Sequence, residues 1–84
     1  MQPIQDLLNR IRWDADFGRG QFKLGYFDRV EGRVIVIPFE SIQFLPESPD
    51  AFALVDADGR LQRVPFHRVR EVWKNGERIW RRGK

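Results

Sequence analysis

The chain contains one histidine, His67, which is followed closely by Arg68 and Arg70. Imidazole and guanidinium groups both donate hydrogen bonds to phosphate oxygens. Phe66 and Val69 are three residues apart, so a single helical or 3₁₀ turn would direct both apolar side chains inward. The same turn would leave His67 and Arg68 side by side at the surface. The pattern therefore predicts an anion-binding site on a surface turn.

His67 could instead serve as a general acid or base, because the ordinary pKa of an imidazole lies near neutrality. Acid–base cleavage of RNA requires a second group on the opposite side of the phosphorus, and the internal repeat suggests Glu40 for that role. Enzymes that open cyclic phosphates with two His-x-Thr/Ser motifs are excluded, since the chain has one histidine. Three interpretations stay open: a phosphate-contacting donor, a catalytic pair of His67 with Glu40, and a structural histidine.

The composition argues against a metal centre. The chain has no cysteine, one histidine and no spaced cluster of carboxylates, whereas structural and catalytic metal sites in proteins are built from several such ligands. We therefore expect no metal ion and no cofactor.

The net charge of +3 conceals an asymmetry between the two parts of the chain. Residues 1–59 carry six basic and ten acidic side chains, whereas residues 60–84 carry nine basic and two acidic ones. Twelve of the fifteen basic residues are arginine, the side chain that binds phosphate with two parallel hydrogen bonds. A basic C-terminal third indicates a polyanionic partner, although such a bias also serves solubility.

Aromatic side chains accompany the basic ones and are able to stack on RNA bases, but they can equally fill the core of so small a protein. The pair Asp28-Arg29, at the end of a predicted strand, could form an ion pair within the same site or an ordinary surface pair. The candidate nucleic-acid- and phosphate-binding residues are His67, Arg68, Arg70, Arg29, Asp28, Tyr26, Trp73, Arg78, Trp80 and Trp13.

Asn75-Gly76 is a signal for a type I′ turn, and it predicts a C-terminal hairpin over residues 70–82. Lys74 and Glu77 would close the hairpin with opposite charges. The register then pairs Trp73 with Arg78, Val72 with Ile79 and Glu71 with Trp80. One face would be aliphatic, and the other would carry Trp73, Arg78 and Trp80.

A helix is predicted over residues 3–13, because apolar residues recur there with the spacing of one helical face and Pro3 suits a first turn. Residues 14–21 form a loop whose two glycines match no complete nucleotide-binding motif. Strand patterns begin at Phe22 and continue to the C-terminus.

The strand region contains an internal repeat. Gly32-Arg33 is followed by Pro38-Phe39, and the same pattern recurs 27 residues later at Gly59-Arg60 and Pro65-Phe66. We interpret residues 22–45 and 52–73 as two related β-units, each a hairpin that ends in a helical turn. The expected fold is α+β: the helix packs on a bent antiparallel sheet or partial barrel made of the two units plus the C-terminal hairpin.

The length of 84 residues predicts a single domain over residues 1–84. The first residues lack the basic and apolar parts of a signal peptide, and no apolar run is long enough to span a bilayer. We expect a cytoplasmic protein that does not enter the membrane.

Four segments in the same order resemble a family that is widespread in archaea, the RNA cyclic group end recognition domain, formerly an uncharacterised protein family. The segments are Leu8-Asn9-Arg10-Ile11-Arg12-Trp13-Asp14, Leu24-Gly25-Tyr26-x-Asp28-Arg29, Ile37-Pro38-Phe39-Glu40 and Pro65-Phe66-His67-Arg68-Val69-Arg70.

The resemblance implies a small domain that recognises RNA ends bearing a 2′,3′-cyclic phosphate in RNA processing or repair. Relatives occur fused to RNA-processing or RNA-repair modules, so a processing or repair enzyme acting in trans is a possible partner. The alternatives are a small endoribonuclease or cyclic phosphodiesterase using His67 with Glu40, and an adaptor that binds a protein through the tryptophan face.

Overall fold

The computed structural model describes residues 3–55 and 58–82. The predicted helix is α1 (Ile4–Trp13), and its four apolar side chains Ile4, Leu7, Leu8 and Ile11 are buried on one face. Pro3 precedes the first turn, where the missing N–H of proline has no cost. In the described residues no helix is long and apolar enough to span a bilayer.

Seven strands follow the helix and form two antiparallel sheets. The strands are β1 (Phe22–Asp28), β2 (Arg33–Pro38), β3 (Ile42–Phe44), β4 (Ala51–Val55), β5 (Leu61–Pro65), β6 (Val69–Lys74) and β7 (Glu77–Arg81). One sheet has the order β2-β1-β6-β7 and the other β3-β4-β5. The predicted α+β fold is confirmed. The strands are divided between two open sheets rather than joined in one bent sheet.

The internal repeat is visible in the backbone. Pro38 and Pro65 have the same dihedral angles, φ −63° and ψ 142°, and each leads into a three-residue 3₁₀ turn. The turns are Phe39–Ser41 and Phe66–Arg68, which are 27 residues apart as the sequence predicts. Because each turn redirects the chain, the two units exchange their last strands: β3 pairs with β4 of the second unit, and β6 pairs with β1 of the first.

The core lies where the two sheets and α1 meet. Its most completely buried large side chains come from all three parts and are Phe52, Leu8, Leu24, Val69 and Val72. Aromatic rings extend this core from Tyr26 through Phe52 to Phe66, with centroid separations of 6.3 and 5.4 Å. The second 3₁₀ turn is therefore held in place by its own buried Phe66.

The C-terminal hairpin differs from its predicted register. Lys74 pairs with Glu77 and Trp73 with Arg78, as predicted, but a bulge at Ile79 then brings Trp80 opposite Val72. Trp80 is consequently 7% exposed and belongs to the core, so its predicted place on the outer face beside Trp73 is wrong. The bulge is favourable because an indole removes more apolar surface from water than an isoleucine side chain does.

Candidate nucleic-acid interface

The second 3₁₀ turn directs its side chains as the sequence predicts. Phe66 and Val69 are buried, His67 is exposed and Arg68 is half-buried. However, His67 and Arg68 line two separate hollows. The structure therefore does not place this imidazole and this guanidinium in one hollow, because successive residues of a tight turn point in different directions.

The hollow beside Arg68 brings together several of the predicted site residues. It has a volume of roughly 370 Å³ and lies between the end of β1, the turn that follows β1, and strand β5. Its polar lining residues are Tyr26, Asp28, Arg29, Glu31, Gln62, Arg63 and Arg68, and we call it the arginine hollow. The strand exchange makes this site, since β5 and Arg68 belong to the second unit and β1 to the first.

Two guanidinium groups in the arginine hollow have no partner in the part of the chain that the structure describes. Among residues 3–55 and 58–82, the side chains of Arg29 and Arg68 form no hydrogen bond or ion pair. Arg63 lies 3.5 Å from a carboxylate oxygen of Asp50, in an exposed pair. Since a half-buried guanidinium without a partner is costly, Arg68 is suited to an anionic ligand.

Asp28 and Tyr26 also line the arginine hollow. The Asp28 Oδ1 atom accepts hydrogen bonds from the backbone N–H groups of Val30 and Glu31, at 2.8 and 3.1 Å. This Asx turn fixes the carboxylate at the end of β1. Burial, and secondarily the charge of Asp28, raise the pKa of the Tyr26 phenol above its ordinary value. Tyr26 therefore stays a neutral hydrogen-bond donor at physiological pH.

Arg70 is placed by a β-bulge. Gly25 of β1 pairs with Glu71 and the next residue, Tyr26, pairs with Val69, so Arg70 is an extra residue in β6. The equivalent pairing of β3 with β4 in the other sheet has no such irregularity. The Arg70 guanidinium donates to the carbonyl oxygen of His67 at 3.2 Å and lies 5.7 Å from the ring centre of Phe27. Bulges commonly redirect one side chain beside a functional site.

The outer face of the four-stranded sheet adjoins the arginine hollow through Phe27, which lines the hollow and lies on that face. Paired residues in neighbouring strands share a face. The register therefore defines the outer sheet face as Lys23, Phe27, Val34, Val36, Glu71, Trp73, Arg78 and Arg81. Val36 is 47% exposed and Trp73 half-buried, so apolar and aromatic surface is available there.

Glu71 organises the centre of the outer sheet face. Its carboxylate accepts a hydrogen bond from the indole N–H of Trp73 at 3.0 Å and lies 3.6 Å from the guanidinium of Arg78. Arg78 in turn lies 5.8 Å from the ring centre of Trp73. The indole is thus held in one orientation by two partners.

His67 and Glu40 lie near opposite ends of α1. His67 lines a hollow with Pro3 and Ile4 at the start of the helix, whereas Glu40 lines a hollow with Ile11 at its end. Ten helical residues span about 15 Å. His67 and Glu40 thus line no common hollow, whereas the enzyme alternative requires them to flank one phosphorus atom.

Trp13 is 74% exposed at the end of α1, under the guanidinium of Arg12, and does not line the arginine hollow. The structure thus brings together Tyr26, Asp28, Arg29 and Arg68, with Arg70, Trp73 and Arg78 on or beside the adjoining sheet. His67, Trp13 and Trp80 do not line the arginine hollow.

Sequence reasoning missed Gln62, Arg63, Phe27 and Glu71. Gln62 and Arg63 lie on β5, and the exchange of strands between the two units brings β5 beside the end of β1. The sequence does not predict that exchange. In contrast, Phe27 and Glu71 were detectable as alternate residues of predicted strands.

Partner-free arginines in a hollow beside an aromatic sheet face are typical of modules that bind nucleic acid. The family comparison agrees: the chain belongs to the family described as the MJ1316 RNA cyclic group end recognition domain, whose model matches residues 1–82. It is accordingly an RNA-binding module of a family described by recognition of RNA cyclic ends. Comparison with curated proteins gave no significant match, and comparison with solved structures gave none either.

Proposed function

We propose that this protein binds the 3′ end of an RNA strand and holds a terminal 2′,3′-cyclic phosphate in the arginine hollow, in RNA processing or repair. The observation that carries the proposal is the convergence of Arg29, Arg63 and Arg68 in one hollow, where Arg29 and Arg68 have no partner among the described residues.

The chemistry of the hollow suits a phosphate group. A cyclic phosphate has two non-bridging oxygens, which match the two parallel N–H groups of one guanidinium. The half-buried Arg68 supplies such a group from a rigid turn anchored by Phe66. A bound phosphate would give Arg68 hydrogen bonds that residues 3–55 and 58–82 do not provide.

The outer sheet face supports a path for the preceding nucleotides. Phe27 connects that face to the arginine hollow, and Trp73 presents a half-buried indole further along the sheet. Bases stack on aromatic rings irrespective of sequence, and Arg78 and Arg81 on β7 are placed to contact the backbone. We therefore assign Trp73 to a base and Arg78 to a phosphate.

The proposed role is binding without catalysis. His67 and Glu40, which the enzyme alternative requires together, line hollows near opposite ends of α1. The adaptor alternative required a tryptophan face that included Trp80, and Trp80 is buried. A processing or repair enzyme acting in trans would then act on the RNA end that this module holds.

The test compares short RNAs of one sequence that end in a cyclic phosphate, an open phosphate or a hydroxyl. Binding is measured by fluorescence anisotropy at several salt concentrations, and conversion of each RNA is followed by gel electrophoresis. We expect Arg68→Ala to weaken binding of the cyclic-phosphate RNA by about 10-fold or more and to reduce the salt slope by about one. No RNA should be converted.

Arg19→Ala is the matched control, because it removes the same charge from an exposed loop position outside the arginine hollow. It should change binding by less than about 2-fold. Equal effects of the two substitutions would overturn the assignment of the RNA end to the arginine hollow. Conversion of the cyclic end by the wild-type protein would overturn the non-catalytic role.

A further inference from the structure

We propose that Asp28 makes the arginine hollow selective for a singly charged phosphate, so that a cyclic end is bound in preference to an open monophosphate. This inference rests on the proposed function, because it requires the RNA end to lie in that hollow. It adds a residue that acts by repulsion to a site otherwise described by attraction.

A cluster of arginines alone would favour the wrong ligand. An open monophosphate carries between one and two negative charges at neutral pH, since its second pKa is near 6, whereas a cyclic phosphate carries one. Coulomb attraction to cations increases with ligand charge. If charge is to favour the cyclic end, the hollow therefore needs a fixed negative group that repels the more highly charged open monophosphate.

The side chains that line the hollow nearly balance in charge. Three guanidinium groups, those of Arg29, Arg63 and Arg68, face two carboxylates, those of Asp28 and Glu31. One net positive charge remains, which matches a single negative charge on the ligand.

The two carboxylates differ in how they are held. Asp28 is half-buried, and its Oδ1 atom accepts two backbone hydrogen bonds at 2.8 and 3.1 Å, so the carboxylate stays in the hollow when a ligand enters. Glu31 is exposed and lies 3.7 Å from Arg33, which does not line the hollow. A longer exposed side chain can move away from an incoming anion, whereas the Asp28 side chain cannot without breaking its turn.

Tyr26 adds a donor without adding charge. Tyr26 lines the hollow together with Asp28, and burial together with the Asp28 charge raises the pKa of its phenol. A neutral hydrogen-bond donor favours mono- and dianionic phosphates about equally, so it supplies affinity but leaves the selection by charge to Asp28.

The decisive variant is Asp28→Asn, because an asparagine amide oxygen can accept the same two backbone hydrogen bonds while the negative charge is removed. We expect Asp28→Asn to strengthen binding of the open-phosphate RNA by about 3- to 10-fold more than binding of the cyclic-phosphate RNA. Glu31→Gln is the matched control, with the same change in charge at an exposed position, and it should alter the ratio of the two affinities by less than about 2-fold.

An unchanged ratio in Asp28→Asn, with the fold intact by circular dichroism, would overturn this inference while leaving the proposed function standing. The proposed function fails in a different way, when Arg68→Ala leaves all RNA ends bound as tightly as before. Asp28→Ser provides a second uncharged variant whose hydroxyl can still accept a turn hydrogen bond. Asp28→Ser should also reduce the preference for the cyclic-phosphate RNA over the open-phosphate RNA.

A measurement on the wild-type protein separates charge from shape. Near pH 5 the open monophosphate is mostly a monoanion, so the preference for the cyclic end should narrow relative to about pH 7.5. The charged or titratable groups that face Asp28 are Tyr26, Arg29, Glu31, Arg63 and Arg68, and His67 lines another hollow. A preference that is equally strong at both pH values would assign selectivity to shape and overturn the inference.

Discussion

Gly25 lies directly beneath the side chain of Glu71 on the outer sheet face. A Cβ atom at position 25 would lie 2.8 Å from Cγ of Glu71 and 3.1 Å from Cγ1 of Val34. The glycine therefore gives Glu71 the space from which its carboxylate reaches both Trp73 and Arg78. Close approach of a side chain to the backbone, rather than a positive φ, explains this glycine within a strand.

Gly25→Ala should lower the free energy of unfolding by about 1–3 kcal/mol, because the new methyl group displaces Glu71 in a packed sheet. Urea denaturation measures the change. In a Glu71→Ala background the same substitution should cost less, since the contact with Glu71 is gone and only the one with Val34 remains. Equal costs in the two backgrounds would contradict the close contact.

Trp73→Ala should reduce the gain in affinity from the one added nucleotide whose base stacks on this indole. The indole offers a stacking surface worth about 1–3 kcal/mol for a base, and it lies on the outer sheet face outside the arginine hollow. Binding of cyclic-phosphate RNAs of one to four nucleotides tests this. The shortest RNA should be bound almost as well as by the wild type.

Trp13→Ala is the control for that series, because Trp13 is exposed at the end of α1, away from the outer sheet face. The affinity of the Trp13→Ala protein should depend on RNA length as that of the wild type does. A uniform loss of affinity at every length in Trp73→Ala would place the base elsewhere.

Trp80→Ala should destabilise the protein by about 3–5 kcal/mol, since the bulge at Ile79 turns this indole into the core opposite Val72. Trp13→Ala should change the free energy of unfolding by less than about 0.5 kcal/mol. Thermal or urea denaturation distinguishes the two. A small effect at Trp80 would support the regular register with this side chain outside.

The free energy of unfolding should fall as the pH rises above about 10, in part because of Tyr26. Burial and the charge of Asp28 raise the pKa of this phenol in the folded state above the ordinary tyrosine value of 10.0. The unfolded chain then releases the proton first, and ionisation favours unfolding. Tyr26→Phe should weaken this alkaline loss, as measured by urea denaturation at about pH 8 and about pH 10.5. An identical loss in both proteins would contradict the prediction.

Local pattern predicted the elements of this fold well. The helix follows from the apolar stripe Ile4, Leu7, Leu8 and Ile11, and the two 3₁₀ turns follow from Pro-Phe motifs 27 residues apart. These features depend on residues close in sequence, so their physics is local. The inward orientation of Phe66 and Val69 was predictable for the same reason.

The sequence by itself determined the class of fold, the repeat, the basic C-terminal third and the resemblance to an RNA-binding family. Only the tertiary structure decided which basic groups meet: exchange of β3 and β6 brings Arg63 and Arg68 to Asp28, and the turn separates His67 from them. The bulges at Arg70 and Ile79 also depend on the tertiary structure. A one-residue shift in pairing moves side chains between the core and the solvent, so packing against the core selects the register. Pairing between distant strands depends on packing against the whole core, which spacing along the chain does not specify.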